Sequence, residues 1–476
     1  MTVRQLVAGF ALAGLASSCS EDGPGSAHAK NLVLITVDTL RADHLKSYGY
    51  FRETAPNIDA LAGESMVFER CLAPIAQTTP SHLSLMTGLY PYQHGVADNF
   101  ANLPAEVQRE RAFASSEVLQ TFAQIIGRGV HTAGFVSAAP VKRLTGLANG
   151  FQTWDEPEGV RRDGFDTNKA AVAWLDQHTG PFFLWVHYMD AHGPYAVGIY
   201  PPDEILELYP SDAALANYLS DRGIEERPDA ELNYMARAEV LTNLYDGSVR
   251  MADKAVGELL GALRSRGLWE ETVTVLMSDH GQGLWQHYSS GHGDVWEEHL
   301  RVPLIIHVPG HKPERLNPLM SIIDVLPTAL RFVDGFQSAE FYRQARGSDV
   351  FSKGFAEPGV FGMGDRFTKT FSWTDGKWKV LLRADGAVSL FDLGADPFEL
   401  DDVHDANKAR ANKMLGQLKS EIELQRRTHE NFKAGASTGE LVTDEQHLDE
   451  LGDLGYLGVE PDEEHPNSVT PEDGDE

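Results

Sequence analysis

Asn31-Leu-Val-Leu-Ile-Thr-Val-Asp38 is a run of aliphatic and β-branched residues that stops abruptly at a carboxylate. A stretch this short and this continuously apolar reads as a strand covered on both faces, as in a parallel sheet. The same design recurs along the chain. Pro181-Phe-Phe-Leu-Trp-Val-His-Tyr-Met-Asp190 delivers Asp190, with His192 close behind, and Thr272-Val-Thr-Val-Leu-Met-Ser-Asp279 delivers Asp279 and His280. His131-Thr-Ala-Gly-Phe-Val-Ser137 is a weaker fourth case. Helical patterns lie between these runs, over 56–64, from Pro80 to Met86, and over 243–264. Alternation of strand and helix over this length predicts an α/β fold, an α/β/α sandwich around a large, mostly parallel sheet. In such sheets ligands bind beyond the carboxyl ends of the strands, where Asp38, Asp190 and Asp279 would gather.

After Leu300 the pattern changes. Arg301-Val-Pro-Leu-Ile-Ile-His-Val-Pro-Gly310 is a further strand, and a short helix follows Ile323. From about Phe351 the segments become short and alternating, as in Lys377-Trp-Lys-Val-Leu-Leu382 and Val388-Ser-Leu-Phe391. They predict a smaller antiparallel sheet closed by a helix over 408–426, a C-terminal α+β subdomain. The expected organisation is a catalytic domain over 30–350, this subdomain over 351–430 and an acidic tail over 431–476. The tail from residue 458 onward has no Lys or Arg and many Asp, Glu and Pro, the composition of a solvated segment.

The chain ahead of the first strand reads as a targeting segment. Arg4 gives a positive start, Leu6 to Leu15 form an apolar stretch too short to span a bilayer, and Ala16, Ser17 and Ser18 lead into Cys19. This resembles a lipoprotein signal over 1–19, with Cys19 as the lipid attachment site and a membrane as partner. Ordinary cleavage near residues 27–29 is the plainer alternative. Either way the protein is expected to be exported, to the periplasm or cell envelope. With Cys19 lipidated or removed, Cys71 is then the only free thiol of the mature chain; it lies in an apolar stretch and reads as a buried structural thiol. A formal net charge of −30 repels nucleic-acid phosphates and excludes nucleic acid as the main partner. An anionic substrate meets the same repulsion, which only cations bound within a site relieve.

The segment richest in chemistry is Gln77-Thr-Thr-Pro-Ser-His-Leu-Ser-Leu-Met-Thr-Gly88. Pro80 suits the first turn of a helix, which puts Thr78 and Thr79 just before its start, where free N–H groups and the dipole favour negative charge. A threonine hydroxyl is too weak an acid to attack unaided at neutral pH and needs a metal or a base. Asp38, Asp279 and His280, with Thr78 as a further ligand, could hold a divalent cation. Oxygen ligands with one imidazole suit Ca, Mg, Mn or Zn, as one ion or two. Asp190, His192 and His292 form a second group, for another metal or for the anionic oxygens of a substrate. His82 either touches that anion or packs on its helix, and His287 rivals His292 on the same loop. Asp43 and Asn57 read as supports of the fold, and Trp285 and Trp296 as rim or core packing.

With these stretches in view, the chain resembles the sulfatase-type members of the alkaline phosphatase superfamily over most of 31–400. The matching motifs are Val37-Asp-Thr-Leu-Arg-Ala-Asp43, Ala55-Pro-Asn-Ile-Asp59, Thr78-Thr-Pro-Ser81 through Gly88-Leu-Tyr-Pro91, Ser278-Asp-His-Gly281, Gly291-His292, Arg301-Val-Pro303, Asp324-Val-Leu-Pro-Thr328 and Leu390-Phe-Asp-Leu-Gly-Ala-Asp-Pro397. The resemblance implies that Asp38, Asp279 and His280 ligate metal and that Thr78 is the nucleophile, attacking sulfur or phosphorus to form a covalent ester that water clears. His82 and His192 join Thr78 as candidate catalytic residues.

The departures are as informative. The family ordinarily has cysteine or serine at the Thr78 position, oxidised to formylglycine, and threonine cannot become that aldehyde. The motif arginine is His82, the second signature is replaced near Val136-Ser-Ala-Ala139, the usual Asp-Asn pair is Asp279-His280, a later lysine aligns with His292, and Thr39 stands beside Asp38 where a second aspartate is usual. These changes resemble the threonine-nucleophile phosphodiesterases of the superfamily. They imply hydrolysis of anionic esters with phosphate or phosphonate favoured, a sulfatase acting without formylglycine as the alternative, and a lipid-anchored binding protein as the reading from another class.

Overall fold

The computed structural model describes residues 29–99, 113, 115–195, 208–224, 234–336, 338–355 and 359–434. The targeting segment, Cys19, most of the acidic tail and part of the 193–233 insertion lie outside the described residues. Among the described residues no helix is long and apolar enough to cross a membrane.

The opening strand, β1 (Asn31–Val37), is buried at all seven positions and lies near the middle of an eight-stranded sheet. Around it run β2 (Met66–Leu72), β3 (His131–Phe135), β4 (Thr153–Asp155), β5 (Phe182–Tyr188) and β6 (Thr272–Met277). A two-stranded ribbon, β7 (Gly283–Leu284) with β8 (Ser290–Gly291), precedes β9 (Arg301–His307) and β10 (Glu314–Ser321). The order across the sheet is β10-β2-β9-β6-β1-β5-β3-β4. Parallel pairing joins β6, β1, β5, β3 and β4, and also β10 and β2. Only β9 runs against its neighbours, β2 and β6. The mostly parallel sheet is thus observed, and the single reversed strand is an addition that an apolar run cannot announce, because strand direction leaves no mark on periodicity.

Register sets the site. Thr36 lies opposite His187 of β5 on one side and Met277 of β6 on the other. The three central strands therefore end level, with Asp38 and Asp279 just beyond them.

Alternation along the strands divides the core between two faces. Leu32, Leu34, Phe183, Trp185, Val275 and Met277 pack with Leu83, Leu85 and Met86 of the Thr78–Thr87 helix. Val33, Ile35, Leu184, Val186 and Leu276 pack on the other face with Val249, Ala252, Val256 and Leu259 of the Tyr234–Ser265 helix, and with Ile58 and Leu61 of the Pro56–Gly63 helix. Phe183 is wholly buried, its ring 5.0 Å from that of Phe122 and 5.7 Å from that of Phe151. Phe183→Ala is expected to cost about 3–5 kcal/mol, read as a fall in the denaturant midpoint with an unchanged slope.

Two expectations about helices are corrected. The Thr78–Thr87 helix begins at Thr78, with Gln77 in an extended conformation (φ −147°) ahead of it. Thr78 and Thr79 are therefore inside the first turn. Pro80 still lies in that turn, where its missing N–H breaks no helical bond. The long helix covers Tyr234–Ser265, starting earlier than the 243–264 pattern because Ala238 and Thr242 are also buried.

A second, four-stranded sheet consists of β11 (Val360–Met363), β12 (Phe371–Thr374), β13 (Trp378–Leu382) and β14 (Val388–Asp392), all antiparallel in sequence order. The Lys408–Ala434 helix closes it, and Phe361, Val380, Leu390, Met414 and Leu418 share one core. This sheet is moored to the first domain. Met363 donates its amide to Pro74 O at 2.8 Å, and buried Lys379 reaches Glu297 at 3.0 Å and Glu399 at 2.9 Å.

Candidate active site

The strand ends aim three ligand groups at one point. One ligand atom from each of Asp38, Asp279 and His280 lies within 4.8 Å of the others, and all three residues are fully buried. The chain turns sharply after β1 at Thr39, whose φ of 57° is rare for a β-branched residue. That turn points the Thr39 amide at Asp279 Oδ1 (3.2 Å), and the His280 amide reaches the same oxygen at 2.9 Å. The other oxygen, Asp279 Oδ2, has no hydrogen-bond partner, and neither has Asp38 Oδ1.

Two buried carboxylates with orphaned oxygens side by side are costly unless something positive joins them. Burial pushes the Asp38 carboxyl up to about 8, against the weaker pull of its hydrogen bond with Thr78. Burial, with the nearby Asp38 adding to it, raises Asp279 well above the carboxylate range. This donor set fits a divalent cation: two hard carboxylates, each with a spare buried oxygen, and one imidazole.

Thr78 closes the cluster. Its Oγ lies 3.4 Å from His280 Nε2, at the start of a helix buried along its whole length. Ser81 locks that helix to β6 by donating to Asp279 O at 2.6 Å, and Thr79 accepts no freedom either, donating its hydroxyl to Pro140 O and its amide to Asn99 Oδ1. The dipole at the start of the helix then favours negative charge at Thr78.

The histidines are fixed by backbone carbonyls. A carbonyl only accepts, so each imidazole nitrogen facing one carries the proton. His280 Nδ1 donates to Gly281 O at 2.9 Å, His292 Nδ1 to Ala76 O at 2.9 Å, and His192 Nδ1 to Gly193 O. Each therefore turns an Nε2 lone pair inward. His192 Nε2 and His292 Nε2 stand 3.3 Å apart, and the rings of His280 and His292 are 4.5 Å apart. Facing lone pairs at that separation suit one shared proton or an electropositive guest. Burial holds His192 and His280 down to about 3 and His292 well below its usual range.

Other expected residues go elsewhere. Asp190 accepts the Gly164 amide at 3.0 Å, bracing the start of the Gly164–Gln177 helix, and is not in the cluster. His82 is one turn beyond Thr78 and lies beneath the site. It donates Nδ1–H to Thr78 O at 2.9 Å, stands 3.5 Å from Asp279 Oδ2, and contacts Thr36 Oγ1 through Nε2 at 3.1 Å. Both of its ring nitrogens are thus engaged with the helix and β1, so it packs and positions. His287 pairs with Glu298 at 2.7 Å and stacks on Trp296, which leaves the inward place to His292. Asp43 pairs with Arg41, and Asn57 donates to Asp253. Cys71 is buried, and desolvation raises its thiol far from reactivity.

One residue of the site escaped the sequence reading. His187 on β5 holds Asp38 Oδ2 through Nε2 at 3.3 Å, with Ser137 Oγ at Nδ1. Its signal was parity: it shares a face with Phe183 and Trp185, toward the Thr78 helix, one residue from the strand end.

A model of the sulfatase family matches residues 30–335. The ulvan-active sulfatase of Formosa agariphila is 24% identical over 450 residues, covering 82% of this chain and 82% of its own length. Iduronate 2-sulfatase of Homo sapiens is 28% identical over 371 residues, with 66% of each chain covered, just under two thirds. Among solved structures, the phosphonate monoester hydrolase of Agrobacterium radiobacter superimposes with a TM-score of 0.62 at 20% identity, over 84% of this chain and 96% of that one. At that identity the likeness is one of fold. The matched span carries every member of the buried cluster on the architecture its relatives share, and the chain belongs to the sulfatase family, hydrolases built on the alkaline phosphatase-like fold.

Proposed function

We propose that this protein is a metal-dependent hydrolase of anionic esters that works through a covalent ester on Thr78, with phosphate and phosphonate esters favoured. The observation that carries the reading is the buried contact of Thr78 Oγ with His280 Nε2, beside two carboxylates with orphaned oxygens. A divalent cation held by Asp38, Asp279 and His280 would supply Lewis acidity at the hydroxyl and at the ester oxygens. The chain does the rest. The helix start stabilises negative charge on Thr78 Oγ as it attacks, and the fixed helix aims that oxygen along one line. The His192–His292 pair, with both Nδ1–H groups pinned, faces the anionic oxygens and takes up one shared proton as they arrive. The leaving oxygen departs opposite Thr78 as an alcohol, the proton given up by the Thr78 hydroxyl balancing the one it takes, and water then cleaves the threonine ester to release the acid and restore the hydroxyl.

Phosphorus is favoured because Thr78 is a plain hydroxyl, without the aldehyde hydrate that sulfatase chemistry of this type uses. Sulfate esters are the second reading, supported by the names of the relatives at 24% and 28% identity. A panel of aryl sulfate, phosphate monoester, phosphodiester and phosphonate monoester, assayed with Ca, Mg, Mn and Zn, decides between them. No turnover on any member would leave the binding-protein alternative in place. His292→Gln or His192→Gln is expected to lower kcat/KM about 10- to 100-fold, the worth of one charge-assisted hydrogen bond, without displacing the metal. Loss of metal content in either variant would instead make these histidines ligands. Lipid attachment at Cys19 is part of the same proposal, and mass analysis of the mature N-terminus tests it.

A further inference from the structure

The second sheet sends one turn back to the site. Residues Asp365 to Lys369 join β11 to β12, and the turn is built to be rigid. Asp365 Oδ1 accepts the amides of Phe367 and Thr368, both at 2.9 Å, and the Lys369 amide closes on Asp365 O at 2.9 Å. Lys369 takes a φ of 45° to complete it.

Its docking points are the neighbours of the reacting groups. The Asp365 amide donates to Gly293 O at 2.8 Å and Thr368 Oγ donates to the same oxygen at 3.0 Å, one residue from His292. Gln77 Nε2 approaches Asp365 Oδ2 at 3.4 Å, one residue from Thr78. A side chain at Gly293 could not be accommodated, since a Cβ there would stand 2.7 Å from Asp365 Oδ2.

The turn presents two side chains outward. Phe367 is 62% exposed, more than any other large hydrophobic side chain among the described residues. Arg366 lies over that ring, its guanidinium carbon 4.5 Å from the centroid, and its Nε is 3.4 Å from buried Asp98 Oδ2. Asp98 precedes Asn99, which holds the Thr79 amide. The guanidinium thus forms an ion pair with Asp98 on its Nε side, without a hydrogen bond there, beside the nucleophile helix, in a protein whose net charge is −30. A cation over an exposed aromatic ring, on a turn docked one residue from His292 and one from Thr78 in an acidic protein, is a recognition element for a ring that bears charge.

We propose that Arg366 and Phe367 form the leaving-group subsite: Phe367 lies against a ring of the substrate, sugar or aryl, and Arg366 receives a second anionic group on that ring. The inference rests on the anionic-ester reading and deepens it by naming the substrate class, a cyclic alcohol ester carrying a further carboxylate, sulfate or phosphate.

The test compares phenyl phosphate with 3-carboxyphenyl phosphate, and the two matching sulfates, on the full-length protein. Arg366→Ala is expected to lower kcat/KM for the carboxylated ester about 5-fold, through KM, while the phenyl ester changes less than about 2-fold. Arg366→Lys should recover most of the loss. Phe367→Ala should weaken both aryl esters relative to a methyl ester. Equal loss on carboxylated and plain esters, or no loss on the carboxylated one, overturns the proposal. Calorimetric binding of the same pair to Thr78→Ala separates the two readings. A preference for the carboxylated ester that vanishes with Arg366→Ala supports the subsite even where no ester is turned over, and its absence there rejects the subsite whatever the turnover.

Discussion

Thr78→Ala will reduce turnover of the best ester by about four orders of magnitude or more, to a residue left by binding and charge stabilisation alone. The variant will keep its fold. Thr78 contributes one hydroxyl and one methyl group to a helix held independently by Ser81, Thr79 and the core contacts of Leu83, Leu85 and Met86. The loss in stability should be about 1 kcal/mol, the usual worth of one hydrogen bond. Thr78→Ser keeps the attacking oxygen and removes only the methyl group that restricts its rotamer, so it should retain much of the rate. Rapid quenching of the parent with a fast aryl ester should trap the ester on the peptide carrying Thr78, and intact mass should show that residue unmodified. Alanine at position 78 with undiminished turnover would remove Thr78 from the mechanism and return the nucleophile to a water.

The second large effect follows from the carboxylates. With a chelator, turnover should fall to background, and the loss of stability should depend on pH in a definite direction. Without a cation the folded protein keeps the Asp38 carboxyl protonated up to about pH 8, and Asp279 shifts the same way. The unfolded chain releases those protons near pH 4. Between about pH 4 and 8 the folded state therefore holds more protons on these two groups, and their contribution to the stability of the metal-free protein falls as pH rises through that window. A bound cation lets both groups ionise in place and cancels this slope. Chelation should lower the thermal midpoint by about 5 °C at pH 8 and by clearly less at pH 5. The buried histidines act at the acid end. His187, His192 and His280 stay neutral down to about pH 3, whereas the unfolded chain takes up these protons below about 6.5, so stability also declines as pH drops from 6.5 toward 3. A midpoint at pH 8 that ignores the chelator would mean that Asp38 and Asp279 hold no ion.

The central strands were legible because β1, β5 and β6 are buried on both faces, which leaves an unbroken apolar signature ending in a polar residue. The same burial hid other things. The reversed direction of β9 and its pairing with β2 and β6 depend on partners distant in sequence, which periodicity does not record. Asp38, Thr78, Asp279 and His280 were legible because each stands at or just beyond the terminus of a regular element; the first, third and fourth cluster, and Thr78 meets them at His280. Asp190 looked equivalent but turns toward Gly164, since the direction of a side chain after a strand is decided by the loop and not by the strand. His82 was left between two roles, although its spacing of four from Thr78 puts it on the same helix face. His187 was passed over inside an apolar run, where a lone imidazole ordinarily means packing. The His192–His292 pairing joins loops 100 residues apart, a proximity that only the folded chain creates.

The mooring of the second sheet bears on how far this chain can be shortened. The family match ends at residue 335, and a polypeptide cut there would still contain Asp38, Thr78, Asp279, His280, His192 and His292. It would lack the strand that clasps the segment leading into Thr78. Met363 grips Pro74, and the bridge between Ile75 and Met363 extends that grip to within a few residues of the nucleophile, while Ala73 is tied to Leu300 on the opposite flank. With one side of that clasp removed, the first turn of the helix would lose a fixed entry path, and a complete set of reacting groups would sit on a hinge. The minimal working unit of this protein is therefore longer than the span that carries its chemistry.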